Sequence, residues 1–177
     1  MNKLLIFSIF ILGIFQQSDT PKSSTTMEKP TTFIIVRHAE KQNAEPDTQL
    51  SSDGLQRASD LLHVLENVEP SAIYSTLYQR TKQTVEQVAK SRGIAITEYS
   101  TRTPYSEFIA EVMSKNRGKT VLIVGHSNTV PELIKALSND STIPLIQEHQ
   151  FDNMFIVNHL DANNSTVLQL KYGKKTQ

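Results

Sequence analysis

Short runs of β-branched and aliphatic residues alternate with longer stretches of helical period from Thr32 onward, and this alternation narrows the possible folds more than any other feature. Thr32–Val36, Ala72–Tyr74, Ile94–Thr97 and Thr120–Val124 are each too short for a helix and dense in Ile, Val or Thr, the pattern of a buried strand. Between them, Leu55, Ala58, Leu61, Leu62 and Leu65 recur at helical spacing. Tyr78–Lys90 reads as a second helix, with Gly93 placed to cap its C-terminus. Pro104–Lys115 reads as a third, with Thr103 as N-cap and proline in the first turn. Thr129-Val130-Pro131-Glu132 has the capping-box pattern and opens a fourth, to about Leu137. Met154–Val157 and Thr166–Lys171 flank the turn-forming run Asp161–Ser165, as an antiparallel pair would. Strands alternating with helices imply a three-layer α/β/α domain around a mostly parallel sheet, here over residues 32–177.

The N-terminus is different in kind. Lys3 is followed by Leu4–Phe15, twelve residues without a charge, and then by polar Gln16–Asp19. That is the pattern of a secretory signal in bacterial style, and it is shorter than the roughly 20 apolar residues of a membrane span. Residues 1–18 therefore read as a signal peptide, or as an N-terminal anchor if uncleaved, and residues 19–31 as a flexible Ser/Thr/Pro/Lys linker. The expected location is periplasmic or extracellular, with a membrane as partner only if the segment stays attached.

Composition excludes several functions. The 18 Lys+Arg balance 18 Asp+Glu, which argues against a broad nucleic-acid surface and leaves room for a local basic pocket. The chain has no cysteine, so disulfides, iron–sulfur clusters, Cys-ligated zinc and cysteine nucleophiles are out. No H-E-x-x-H or acidic metal cluster occurs. His63, His149 and His159 have no ligand spacing. Gly118-Lys119-Thr120 precedes a strand, not a helix, which rules out a phosphate-binding P-loop.

Chemistry concentrates at strand ends, where α/β sheets build their sites. Val36 runs into Arg37-His38-Ala39-Glu40, and Val124 into Gly125-His126-Ser127-Asn128. A third strand end leads to Arg80. Arginine is rarely buried without a partner, and its planar fork matches phosphate oxygens. Nearby guanidinium groups disfavour imidazolium, and a neutral imidazole has a lone pair free for nucleophilic attack. Two arginines, a second histidine and helix N-terminal amides are suited to a transferring phosphoryl group.

These blocks resemble those of the histidine phosphatase, or phosphoglycerate-mutase-like, superfamily. Val36-Arg37-His38-Ala39-Glu40 is similar to its RHG/RHA signature, and Leu50–Ala58 to its Gly- and Ala-containing helix start. Ile73–Thr84 is similar to its S-x-x-x-R-(T/A)-x-x-T block, and Val124–Ser127 to its second-histidine block. The resemblance implies a phosphoglycerate-mutase-like fold and metal-independent hydrolysis of a small phosphorylated substrate, with no cofactor. His38 would be the nucleophile, and Arg37, Arg80 and His126 the rest of the phosphate pocket. It places an acid after the second arginine's helix, where Glu107 stands, with Glu111 as alternative. Ser127 follows His126 in place of the aspartate of the other branch. Ser127, Asn128 and Lys41 are candidate substrate contacts. A mutase-type phosphotransferase, a protein-phosphohistidine phosphatase and a non-catalytic phosphate-binding module remain alternatives. The sequence does not specify an oligomeric state.

Overall fold

The computed structural model describes residues 28–140 and 142–176. The segment read as signal or anchor, and all of the linker before residue 28, lie outside the described residues. The chain runs β1 (Thr31–Arg37), α1 (Ser52–Val64), β2 (Ala72–Ser75), α2 (Gln79–Arg92), β3 (Ile96–Glu98), α3 (Tyr105–Asn116), β4 (Thr120–Gly125), α4 (Thr129–Ser138), β5 (Asn153–Asp161) and β6 (Asn164–Lys171). The strands form one sheet in the order β3-β2-β4-β1-β5-β6. The β3-β2-β4-β1 part is parallel, β5 lies antiparallel to β1, and β6 antiparallel to β5. This is the three-layer α/β fold expected from the alternation.

The period-two geometry of a strand explains how both faces are buried. Phe33 and Ile35 of β1 point into one cluster with Phe108 and Val112 of α3 and Val130, Leu133 and Leu137 of α4. Ile34 and Val36 point into the other, with Leu61 of α1 and Val85 and Val88 of α2. Val121 and Ile123 of β4 follow the first set, and Leu122 and Val124 the second. A strand apolar at every position is therefore the expected result of helices on both sides.

Element ends differ from the sequence reading for local reasons. β3 starts at Ile96, because the Ile94 amide donates to Ala89 O while Gly93, at φ 63°, donates to Lys90 O. The helix terminator thus uses the first residue assigned to the strand. Thr103 is not a cap: Pro104 holds that position with extended ψ 132°, and α3 begins at Tyr105. Thr129 is not a cap either, but the first residue of α4 after Asn128, because its hydroxyl is engaged elsewhere. β1 begins one residue earlier than expected, with Thr31 fully buried and accepting from the Gly118 amide.

Candidate active site

The strand order brings the predicted site together. β1 and β4 are adjacent and parallel, with Arg37 in register with Gly125. Their C-terminal extensions therefore emerge side by side, and the His38 amide continues the ladder by donating to Gly125 O at 3.0 Å. The rings of His38 and His126 stand 5.4 Å apart, edge to face. β2 flanks β4 on the other side, which brings Thr76 and then Arg80 to the same edge of the sheet.

His38 is buried, with 4% of its surface exposed. Its Nδ1 lies 2.8 Å from the carbonyl of Ala39. A carbonyl only accepts, so Nδ1 carries the proton and the Nε2 lone pair is free. Burial, with a lesser contribution from Arg37, His126 and Arg80, lowers its pKa to about 3. Burial, then Arg80 and Arg37, lowers that of His126 to about 4. The neutral imidazoles expected from neighbouring guanidinium groups are thus present, with desolvation as the larger cause.

His126 is held at both nitrogens. Nε2 lies 3.0 Å from Thr76 Oγ1, and Nδ1 lies 3.5 Å from a terminal nitrogen of Arg80. Arg80 only donates, so Nδ1 accepts and Nε2–H donates to Thr76. Thr76 Oγ1 is 2.9 Å from Thr81 Oγ1, whose own hydroxyl reaches the Tyr78 carbonyl at 2.7 Å. The His126 amide donates to Thr129 Oγ1 at 2.7 Å, which is what takes that hydroxyl from capping. A Cβ at residue 125 would stand 2.6 Å from the same oxygen, so any side chain there must displace it.

The two arginines are arranged alike. Arg37, 1% exposed, stacks on the Phe151 ring at 4.4 Å, and Arg80 on the Tyr78 ring at 4.3 Å. The Nε of each is buried without a hydrogen-bond partner. An unpaired buried donor is costly, and an anion seated between them would relieve both. Arg37 also binds the carbonyls of Gln147, Glu148 and Gln150, so it ties the loop before β5 to the pocket. Thr84 accepts from the Ala39 amide and donates to the Arg80 carbonyl, joining the loop after β1 to the start of α2.

Glu148, which the sequence reading missed, joins Arg37 to Ser127. Its carboxylate pairs with Arg37 at 2.9 Å and accepts from Ser127 Oγ at 2.7 Å, while remaining 76% exposed. The Ser127 hydroxyl, then Arg37, holds it below the usual carboxylate range. Nothing in its sequence neighbourhood marks it, because the contact spans more than a hundred residues. Arg57 and Glu40 were likewise seen only as motif members. Arg57 binds the Glu40 carboxylate through Nε and a terminal nitrogen, and it also holds the carbonyls of Tyr172 and Lys174. Gly54 lets this loop close, since a Cβ there would meet Glu40 O.

Of the other expected site residues, Asn128 lines a cavity of about 270 Å³ with Tyr78, Arg80, Thr101, Tyr105, His126 and Thr129. Ser127 donates to Glu148 and lies outside that cavity. Lys41 is exposed, and its charge is felt by Glu148. Glu107 is exposed in the first turn of α3 and is not among the residues lining that cavity; Tyr105, two residues earlier, is. Among the described residues, no group of three or more His, Asp or Glu side chains is spaced to hold a metal ion.

Residues 33–102 match the model of the histidine phosphatase superfamily, branch 1. A probable phosphatase of Schizosaccharomyces pombe is 28% identical over 97 residues, which cover 50% of this chain and 34% of the relative. The chain thus spans about a third of the length of that relative. The protein histidine phosphatase SixA, solved with tungstate, superposes with a TM-score of 0.61 at 19% identity, over 79% of this chain and 96% of its own. YhfR of Bacillus stearothermophilus gives 0.61 at 21% identity, over 77% and 95%. A mycobacterial glucosyl-3-phosphoglycerate phosphatase gives 0.63 at 13% identity, over 81% and 99%. At such identities the likeness is one of fold.

Proposed function

We propose that this chain, which carries the signature and fold of the histidine phosphatase superfamily, hydrolyses small phosphomonoesters through a phosphohistidine on His38. One observation carries the reading: a buried neutral imidazole with its Nε2 lone pair free, beside two stacked arginines whose Nε groups lack partners. The phosphoryl group seats between Arg37 and Arg80, next to His126. The Nε2 lone pair forms the N–P bond as the P–O bond to the alcohol breaks, and the leaving oxygen takes a proton. Water then attacks the phosphorus, the N–P bond breaks, and inorganic phosphate leaves with His38 restored. The two arginines stabilise the charge that develops on the equatorial oxygens. Glu107 is the proton donor offered by the sequence. Lys41, Ser127 and Asn128 are offered as contacts to the alcohol side. The reaction requires no metal.

The test is phosphate release from an aryl phosphate, a leaving group that needs no acid, with chelator present. The wild type should release phosphate, and His38→Ala should not. The wild type, quenched in alkali, should carry base-stable, acid-labile phosphate. Release by His38→Ala would overturn the mechanism. Export is part of the same proposal and rests on Leu4–Phe15. N-terminal sequencing of the protein recovered from outside the cytoplasm should begin beyond Phe15, and recovery in the cytoplasm alone would reject it.

A further inference from the structure

His38 is almost fully buried, whereas Glu148, paired with the neighbouring Arg37, is largely exposed. An in-line displacement puts the leaving oxygen opposite the attacking nitrogen, so the alcohol of the substrate points outward. Whatever that alcohol carries meets Glu148 first. The carboxylate is fixed there by two contacts, Arg37 at 2.9 Å and Ser127 at 2.7 Å. Its loop is fixed by three backbone carbonyls on Arg37. The same loop walls a second cavity of about 250 Å³, lined by Ser127, Asn128, Leu145, Ile146, Gln147 and Glu148. Asn128 belongs to both cavities, so the wall that carries Glu148 adjoins the one that carries Arg80 and His126.

From this geometry we infer that Glu148 is the specificity-determining residue of the pocket, selecting phosphomonoesters whose alcohol carries a cationic amine over those carrying a second anion. The inference rests on the reading of His38 as the phosphoryl acceptor. When the phosphoryl group takes Arg37, Glu148 keeps Ser127 and turns its charge to the alcohol. An ammonium group is attracted there, and a carboxylate is repelled. Lys41 acts against this preference, since its charge reaches Glu148 from the short Lys41–Leu50 bridge.

Three esters of equal size test the point: phosphoethanolamine, ethyl phosphate and phosphoglycolate. Their kcat/KM values, and their equilibrium binding by calorimetry, are compared in wild type, Glu148→Gln and Lys41→Ala. The wild type should prefer the amine to the carboxylate by about tenfold or more, the effect of one charge at a protein surface. Glu148→Gln should abolish the preference, and Lys41→Ala should widen it. Loss of competition for Arg37 in Glu148→Gln affects all three esters alike and cancels in the ratio. An amine-to-carboxylate ratio unchanged by Glu148→Gln overturns the inference. If wild type binds the esters in this order but hydrolyses none, the selectivity stands and the hydrolase reading falls.

Discussion

Thr76 Oγ1 lies 3.0 Å from Nε2 of His126 and begins a chain of hydroxyls that ends at a backbone carbonyl. The chain has one direction. The Tyr78 carbonyl accepts from Thr81, Thr81 from Thr76, and Thr76 from His126, so the proton of neutral His126 is held on Nε2. Nδ1 is then the nitrogen turned to Arg80.

Thr76→Val keeps the shape but removes the acceptor, and it should lower kcat by about tenfold, the usual size of a lost buried hydrogen bond. Thr76→Ser should restore most of the rate. The acid limb of the kcat profile should move in the Val variant and not in the Ser variant. An equal loss in both variants, with an unmoved profile, would assign Thr76 to packing alone.

The depressed histidines give a second prediction. In the unfolded chain His38 titrates near 6.5, and in the folded chain near 3. The folded state is thus the one that refuses the proton. Its stability is full above the unfolded value and falls as pH drops from about 6.5 toward 3. By pH 4 the loss from His38 alone is on the order of 3 kcal/mol. Urea unfolding from pH 7 to pH 4 should therefore be flatter for His38→Gln than for the wild type. Parallel curves would mean that His38 accepts a proton in the folded protein at ordinary pH.

How far these residues could be read in the sequence depends on sequence distance. Arg37, His38 and His126 sit just after short apolar runs and Arg80 opens the helix that follows a third, and a parallel sheet gathers such ends on one edge. Strand order was not needed to name them. Glu148 belongs to a stretch without periodicity, and its partners Arg37 and Ser127 come from the end of β1 and the loop after β4, so only the folded chain reveals it. Thr129 shows the opposite failure. Its capping-box pattern is a local signal, and a neighbouring amide, that of His126, competes for the same hydroxyl and wins.

Arg57 and Glu40 give a third prediction. The guanidinium is 2% exposed and the carboxylate 19%, and the pair connects α1, the loop after His38 and the C-terminal segment. Arg57→Ala leaves a largely buried carboxylate and two carbonyls without partners. Unfolding free energy should drop by about 3 kcal/mol, within the range for a broken buried pair. Glu40→Gln added to Arg57→Ala should recover part of it. A loss under about 0.5 kcal/mol in urea titration, the size of an ordinary surface change, would show that the pair contributes little to the fold.

Gly125 gives the last. The space for its missing side chain is filled by Thr129 Oγ1 at 2.6 Å, with Tyr99 Oη and Val130 Cγ2 each at 3.3 Å. In Gly125→Ala the methyl group pushes the threonine hydroxyl off the His126 amide, and the histidine loop loses its anchor. Overpacking at a buried site costs about 1–3 kcal/mol, so stability should fall by that amount. Activity should fall with it, because His126 is displaced from Arg80 and Thr76. Thr129→Ala removes the clashing oxygen, so the double variant should be more stable than the sum of the two single losses predicts. Activity should stay low in the double variant, since the amide remains without its acceptor. Strict additivity in urea unfolding would place the strain at Tyr99 or Val130 instead, and a fully active Gly125→Ala would mean that the Thr129 contact does not hold His126.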